Sequence, residues 1–112
     1  PGWSGALPSK QYSGYVPVGN LSKSPGMLHY WLQESEAIPE KDPIVLWLNG
    51  GPGASGIIGM LTELGQLQTT PAPGATTVAQ PEQRSTEVPI LYRNPYAWTK
   101  SASLFTIEQP KG

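Results

Sequence analysis

An apolar run, Ile44-Val45-Leu46-Trp47-Leu48, stops abruptly at Asn49-Gly50-Gly51-Pro52-Gly53, and a helix-like segment follows. A strand that ends in glycines and opens into a helix leaves backbone N–H groups unpaired, with no side chain to shield them. Such donors can stabilise a developing negative charge, as an oxyanion hole does. The rest of the chain offers no group to work beside that hole. Ser13, Ser55, Ser101 and Ser103 lie in no Gly-x-Ser-x-Gly elbow, and none reads as a nucleophile. His29 is the only histidine; flanked by Leu28 and Tyr30, it reads as a structural or surface residue of a strand. No His, Asp or Glu cluster has metal-ligand spacing. The Lys-Ser/Thr ending of a phosphate-binding loop is missing as well. No cofactor or metal is expected.

The elements that must hold Asn49 to Gly53 follow from pattern. Residues 1–11 are polar and rich in Gly and Pro, and predict an extended arm. Tyr12 to Val18 reads as a strand containing Pro17, Gly19 to Gly26 as turn chemistry, and Met27 to Leu32 as a second strand. The two predict an antiparallel hairpin. After a charged connection, Pro43 to Leu48 is the strongest strand. Its unbroken apolarity predicts burial on both faces, as in the middle of an α/β sheet. Ile57, Ile58, Leu61 and Leu64 predict one face of a helix over Ser55 to Leu64, with Ser55 at its start and Gly65 at its stop. Gly56 and Gly59 either weaken that helix or let it pack closely on the sheet. Residues 66–89 hold Thr, Pro, Ala, Gln and Gly with few large apolar residues, and predict a long loop. Tyr92, Tyr96 and Trp98 surround an Asn94-Pro95 turn; packing is favoured over lining a cleft. Ala102 to Ile107 predicts another buried strand.

The fold class is therefore α/β: hairpin, strand, helix, long loop, strand. Four strands with one covering helix would leave a sheet face bare, and further chain or another polypeptide is expected to cover it.

Composition narrows the function classes. The 112 residues make one small domain or part of a larger one. Charged residues are 13%, against roughly 25% in ordinary soluble domains. Net charge is -1 with no basic patch, so nucleic acid is not an expected partner. No apolar run reaches about 18 residues, so no transmembrane helix is expected. The start Pro1-Gly2-Trp3, without Met, suggests a processed or trimmed end. There are no cysteines, which excludes a disulfide. Asn20-Leu21-Ser22 matches the N-glycosylation acceptor pattern. Gly and Pro number 13 each and point to many turns, while 4 Trp and 5 Tyr argue against wholesale disorder.

Several segments together resemble the N-terminal part of the serine carboxypeptidase family, which has the α/β-hydrolase fold. They are Ser13-Gly14-Tyr15-Val16, Tyr30-Trp31-Leu32, Asp42 through Gly53, Glu63-Leu64-Gly65, Asn94-Pro95-Tyr96-Ala97-Trp98 and Glu108-Gln109-Pro110-Lys111-Gly112. The resemblance covers most of residues 13–112. It implies an incomplete α/β-hydrolase-type fold over 12–112. It implies that Asn49 and Gly50 bind the C-terminal carboxylate of a peptide substrate. Gly51 would donate its N–H to the oxyanion hole, and Glu63 would join the carboxylate-binding network. A carboxylate held beside a carboxyl side chain requires a shared proton, which favours acidic pH.

The chain also departs from the family. Ala54-Ser55-Gly56 stands where Cys-Ser-Ser is usual, Gln66 replaces a Pro, and Lys111 a smaller residue. The family's nucleophilic serine, acid and histidine lie beyond residue 112. Two functions from different classes are thus expected. One is the N-terminal portion of a serine carboxypeptidase-like hydrolase, inactive by itself. The other is a non-catalytic subunit that kept the first strands and acts in assembly. Asn49-Gly50-Gly51 likewise has two readings, carboxylate and oxyanion site or a tight structural turn. Glu63 is a site residue or a solvated residue near a helix end. The family implies a secretory, vacuolar or lysosomal setting, while the missing cysteine is compatible with a reducing compartment.

Overall fold

The computed structural model describes residues 3–20, 22–23, 26–69 and 90–109. Strands β1 (Gln11–Val18) and β2 (Gly26–Gln33) form the expected hairpin, paired antiparallel from Gln11↔Gln33 to Val18↔Gly26. Strand β3 (Ile44–Trp47) leads to a short helix, α1 (Gly56–Gly59), which runs into a π-helical turn over Met60–Leu64. A two-residue strand β4 (Leu67–Gln68) pairs antiparallel with β5 (Tyr92–Arg93). A 3-10 turn (Trp98–Lys100) then precedes β6 (Ser103–Ile107). Among the described residues no helix is long and apolar enough to cross a membrane.

The main sheet is mixed, in the order β1-β2-β6-β3. The last strand in sequence inserts between β2, to which it is antiparallel, and β3, to which it is parallel. Among the described residues that insertion places β3 at the sheet's edge, not in its middle as its unbroken apolarity predicted. Side chains alternate across a strand, so the run hides two different faces. Val45 and Trp47 pack on a core of Met60, Leu64 and Leu104, joined by Trp31. Ile44, Leu46 and Leu48 point away and are exposed, Ile44 at 70%. Register carries this apolar face across the sheet, through Leu46↔Phe105, Phe105↔Leu32 and Leu32↔Tyr12. The helix covers one face only, and the other is bare among the described residues.

The helix differs from its sequence pattern as well. Its buried side is Gly56, Gly59, Met60 and Leu64, while Ile58 is exposed. The glycines explain the rotation. A Cβ at Gly56 would lie 2.6 Å from the Ile107 carbonyl oxygen, so the helix backbone itself rests on β6. A side chain there would lift the helix off the sheet. Ser55 caps the start as expected, accepting from the Ile57 N–H at 3.2 Å. Gly65, in extended conformation, ends the π turn.

Two boundaries move. Gln66 to Thr69 are not loop: Gln66, Leu67 and Gln68 are buried, and β4 takes a partner. Residues 70–89 of the expected loop lie outside the described residues. The expected arm is stitched down at its end. Gln11 belongs to β1, the Glu34 N–H donates to the Lys10 carbonyl at 3.0 Å, and the Ser9 hydroxyl donates to the Glu34 carbonyl at 2.6 Å.

A polar seam joins these parts. The Trp31 indole N–H donates to Gln11 Oε1 at 3.1 Å, and Gln11 Nε2 donates to Gln66 Oε1 at 2.9 Å. Gln66 Nε2 in turn donates to Ser9 Oγ and to the Glu34 carbonyl, while the Gln66 N–H donates to Gln33 Oε1. Next to it, Asn94 Nδ2 donates to the Glu63 and Gly65 carbonyls at 3.1 and 2.9 Å. Every buried side-chain polar atom among the described residues has a partner. Such groups cost about 1–3 kcal/mol each when orphaned, so the seam fixes these segments in one arrangement.

Candidate active-site loop

Strands β3 and β6 run parallel, so their carboxyl ends lie at the same end of the sheet. Crevices beyond the carboxyl ends of strands are where α/β sheets bind ligands. Here that place is an open concavity of about 640 Å³, lined by Asn49 to Ala54 from the end of β3 and by Gln109 beyond β6.

The loop's shape follows from its residue types. Gly51 has φ 151° and Gly53 φ 87°, values that side-chain-bearing residues rarely adopt. A Cβ at Gly51 would also stand 3.1 Å from the Ala54 Cβ and 3.2 Å from its nitrogen. A Cβ at Gly50 would meet nothing within 4 Å, so Gly50 is set by solvent-side openness and not by crowding. Gly50, Gly51, Pro52 and Gly53 are all exposed, and no described residue accepts from the N–H of Gly50 or Gly51. Asn49 is fixed at the loop's first position. The Trp47 indole N–H donates to Asn49 Oδ1 at 2.9 Å, and a Cβ at Gly59 would approach that oxygen to 2.8 Å. Trp47 is itself held edge-on by Trp98, ring centroids 5.8 Å apart, which gives one of the expected packing aromatics its contact.

The predicted site residues are thus partly gathered. Asn49, Gly50 and Gly51 share the concavity. Glu63 does not line it: the residue is exposed on the π turn, and its carbonyl accepts from Gln68 Nε2 and Asn94 Nδ2. Asn20 is exposed in the turn between β1 and β2, where its Oδ1 accepts from the N–H groups of Ser22 and Lys23 at 3.0 and 3.2 Å. His29 meets the Tyr15 ring edge-on at 5.2 Å on the hairpin. The described residues hold no group of His, Asp and Glu that could bind a metal.

Sequence reasoning missed Gln109, and it missed Glu108 as a structural partner of the loop. Ser55 Oγ donates to Glu108 Oε2 at 2.6 Å across 53 positions of chain. A hydroxyl at a predicted cap can signal a local bond, but nothing local names its distant acceptor. Charge at the approach to the site is otherwise structural. Asp42, just before β3, accepts from the Ser35 hydroxyl at 2.6 Å and the Ile38 N–H at 2.9 Å, and both hold its carboxyl below the ordinary range.

A mixed sheet with two parallel strands ending at a glycine-built concavity, covered by a short helix on one face, is consistent with part of an α/β architecture. The chain belongs to the serine carboxypeptidase family, whose model matches residues 1–112. It is 39% identical over its whole length to serine carboxypeptidase-like 20 of Arabidopsis thaliana and 41% identical to serine carboxypeptidase 1 of Hordeum vulgare. It is 43% identical over 90% of its length to carboxypeptidase Y homolog A of Pyricularia oryzae. It spans 20% of each of the two plant proteins and 15% of the fungal one, in their N-terminal part.

Proposed function

We propose that residues 1–112 supply the oxyanion-hole and carboxylate-binding part of a serine carboxypeptidase-like hydrolase. In this reading a serine outside these residues attacks the last peptide bond of a substrate. The Gly51 N–H stabilises the tetrahedral oxyanion, where a single donor is worth about 10²–10³ in kcat. Asn49 Nδ2 and the Gly50 N–H bind the free C-terminal carboxylate, and Glu63 joins them once the pocket is completed. The observation that carries the reading is the Asn49–Ala54 loop: exposed glycines, Gly51 and Gly53 at positive φ, in a concavity at the ends of two parallel strands.

A triad needs its serine, histidine and acid together, so the chain alone has no such activity. The bare apolar face through Leu46, Phe105, Leu32 and Tyr12 needs a cover, and the remaining hydrolase polypeptide is the occupant proposed. The setting is secretory, vacuolar or lysosomal, with glycosylation at the exposed Asn20.

A fluorophosphonate probe applied to natively purified material tests this. Labelling of a serine in the particle that holds residues 1–112 is expected. Asn49→Ala should then raise KM about tenfold or more for a peptide acid but not for its C-terminal amide. A particle with no reactive serine would overturn the reading in favour of a non-catalytic role in assembly.

A further inference from the structure

The concavity has two walls, the Asn49–Ala54 loop and the segment after β6 that carries Gln109. Beyond the pairing of the strands themselves, where Thr106 Oγ1 donates to the Trp47 carbonyl at 3.0 Å, Glu108 joins them among the described residues. Its Oε2 accepts from the Ser55 hydroxyl at 2.6 Å and from the Ile57 N–H at 3.3 Å. Its own N–H donates to the His29 carbonyl at 2.8 Å, which fixes the backbone of this residue to β2. Gly56 completes the contact, since its backbone lies too close to the Ile107 carbonyl to leave room for a side chain.

The chemistry of this clamp is specific. The Ile57 N–H is shared between Ser55 Oγ and Glu108 Oε2, at 3.2 and 3.3 Å. The loop's other end is tied by the Trp47–Asn49 bond. Between these ties the chain passes through exposed Gly50, Gly51, Pro52 and Gly53. With two glycines at positive φ, such a segment has many conformations to choose from. There is also no cysteine to staple it.

We infer that Glu108 is a positioning residue: through Ser55 and Ile57 it holds the far end of the oxyanion loop, and so sets where the Gly51 N–H points. The inference rests on the proposed role of Gly51 in the hydrolase. A loop donor displaced by about 1 Å can cost up to about 10²-fold in rate.

The test compares Glu108→Gln, Ser55→Ala, their double variant and Gly51→Ala in the assembled protein, with hydrogen exchange of the Ile57 amide as a second readout. Glu108→Gln keeps the size of the side chain and removes its charge, so the fold should survive. Its kcat is expected to fall about 10- to 100-fold with KM for the peptide acid changed less than about threefold. Ser55→Ala should fall in the same direction, the double variant no further than the worse single, and Ser55→Thr should recover most of the loss. Exchange of the Ile57 amide should speed up about tenfold in Glu108→Gln. Unchanged exchange with unchanged kcat overturns the positioning role, even where Gly51→Ala confirms the oxyanion role. A Gly51→Ala variant with full activity overturns the oxyanion reading instead; faster exchange in Glu108→Gln would then stand as a loop anchor alone.

Discussion

The two ends of the region around the helix handle polar groups in opposite ways. At the end of β3, Gly50, Gly51 and Gly53 are exposed, and Gly51 and Gly53 take backbone that only glycine adopts readily. At the far end, Gln33, Gln66 and Asn94 bury their amides, Gln66 at 0% and Asn94 at 1% exposure, and every buried side-chain polar atom among the described residues has a partner. A polar group paired inside the protein stabilises one arrangement and has nothing left to give a ligand. A donor left open contributes little to folding and remains available to a developing charge. The contrast separates what holds the chain from what it can offer a substrate.

The sharpest way to break the contrast is Gly51→Ala in the assembled hydrolase. The φ of 151° and the crowding against Ala54 should displace the N–H and lower kcat about 10²–10³-fold, read in steady-state kinetics. On the buried side, Asn94→Ala should lower the protein's unfolding free energy by about 1–3 kcal/mol, because it removes the side-chain partners of the Gly65 carbonyl and the Tyr96 N–H, while the Glu63 carbonyl keeps its bond from Gln68 Nε2. Denaturant unfolding checks this, and a loss under about 0.5 kcal/mol would mean that the seam does not hold the π turn. Gly59→Ala probes the boundary between the two regions. It presses on Asn49 Oδ1, and is expected to cost about 1–3 kcal/mol and to raise KM for a peptide acid. An effect on stability alone would uncouple helix packing from the loop.

The smallest effect concerns pH. Asp42 is bound more tightly as a carboxylate in the folded chain than in the unfolded one, so its folded pKa lies below the ordinary 3.8. Its contribution is present in full above that ordinary value and is lost as pH falls through the lowered folded value. Asp42→Asn should therefore flatten the acid end of a stability-versus-pH curve and lower stability at neutral pH. Its site is at the surface, and solvent screening keeps the change small.

Much of this is legible in the sequence. The Asn49–Gly53 loop, the hairpin, the Ser55 cap and the Gly65 stop are encoded by neighbours in sequence, through propensity, turn chemistry and short-range hydrogen bonds. So was the family, from motifs in their order. The helix face was misread because hydrophobic periodicity weighs side chains, whereas Gly56 and Gly59 act by lacking them. The middle position given to β3 failed for a related reason: an apolar run reports two apolar faces, not two occupied edges.

By itself the sequence determined the local pieces, including a loop that only glycines can build and a strand apolar on both sides. Tertiary structure alone decided that β6 enters beside β3, that Gln66 replaces loop with a buried seam, and that Glu108 reaches Ser55 across 53 positions. Those are contacts between distant segments. Each becomes favourable only when the sheet has already brought the partners together, because chain entropy opposes them until then.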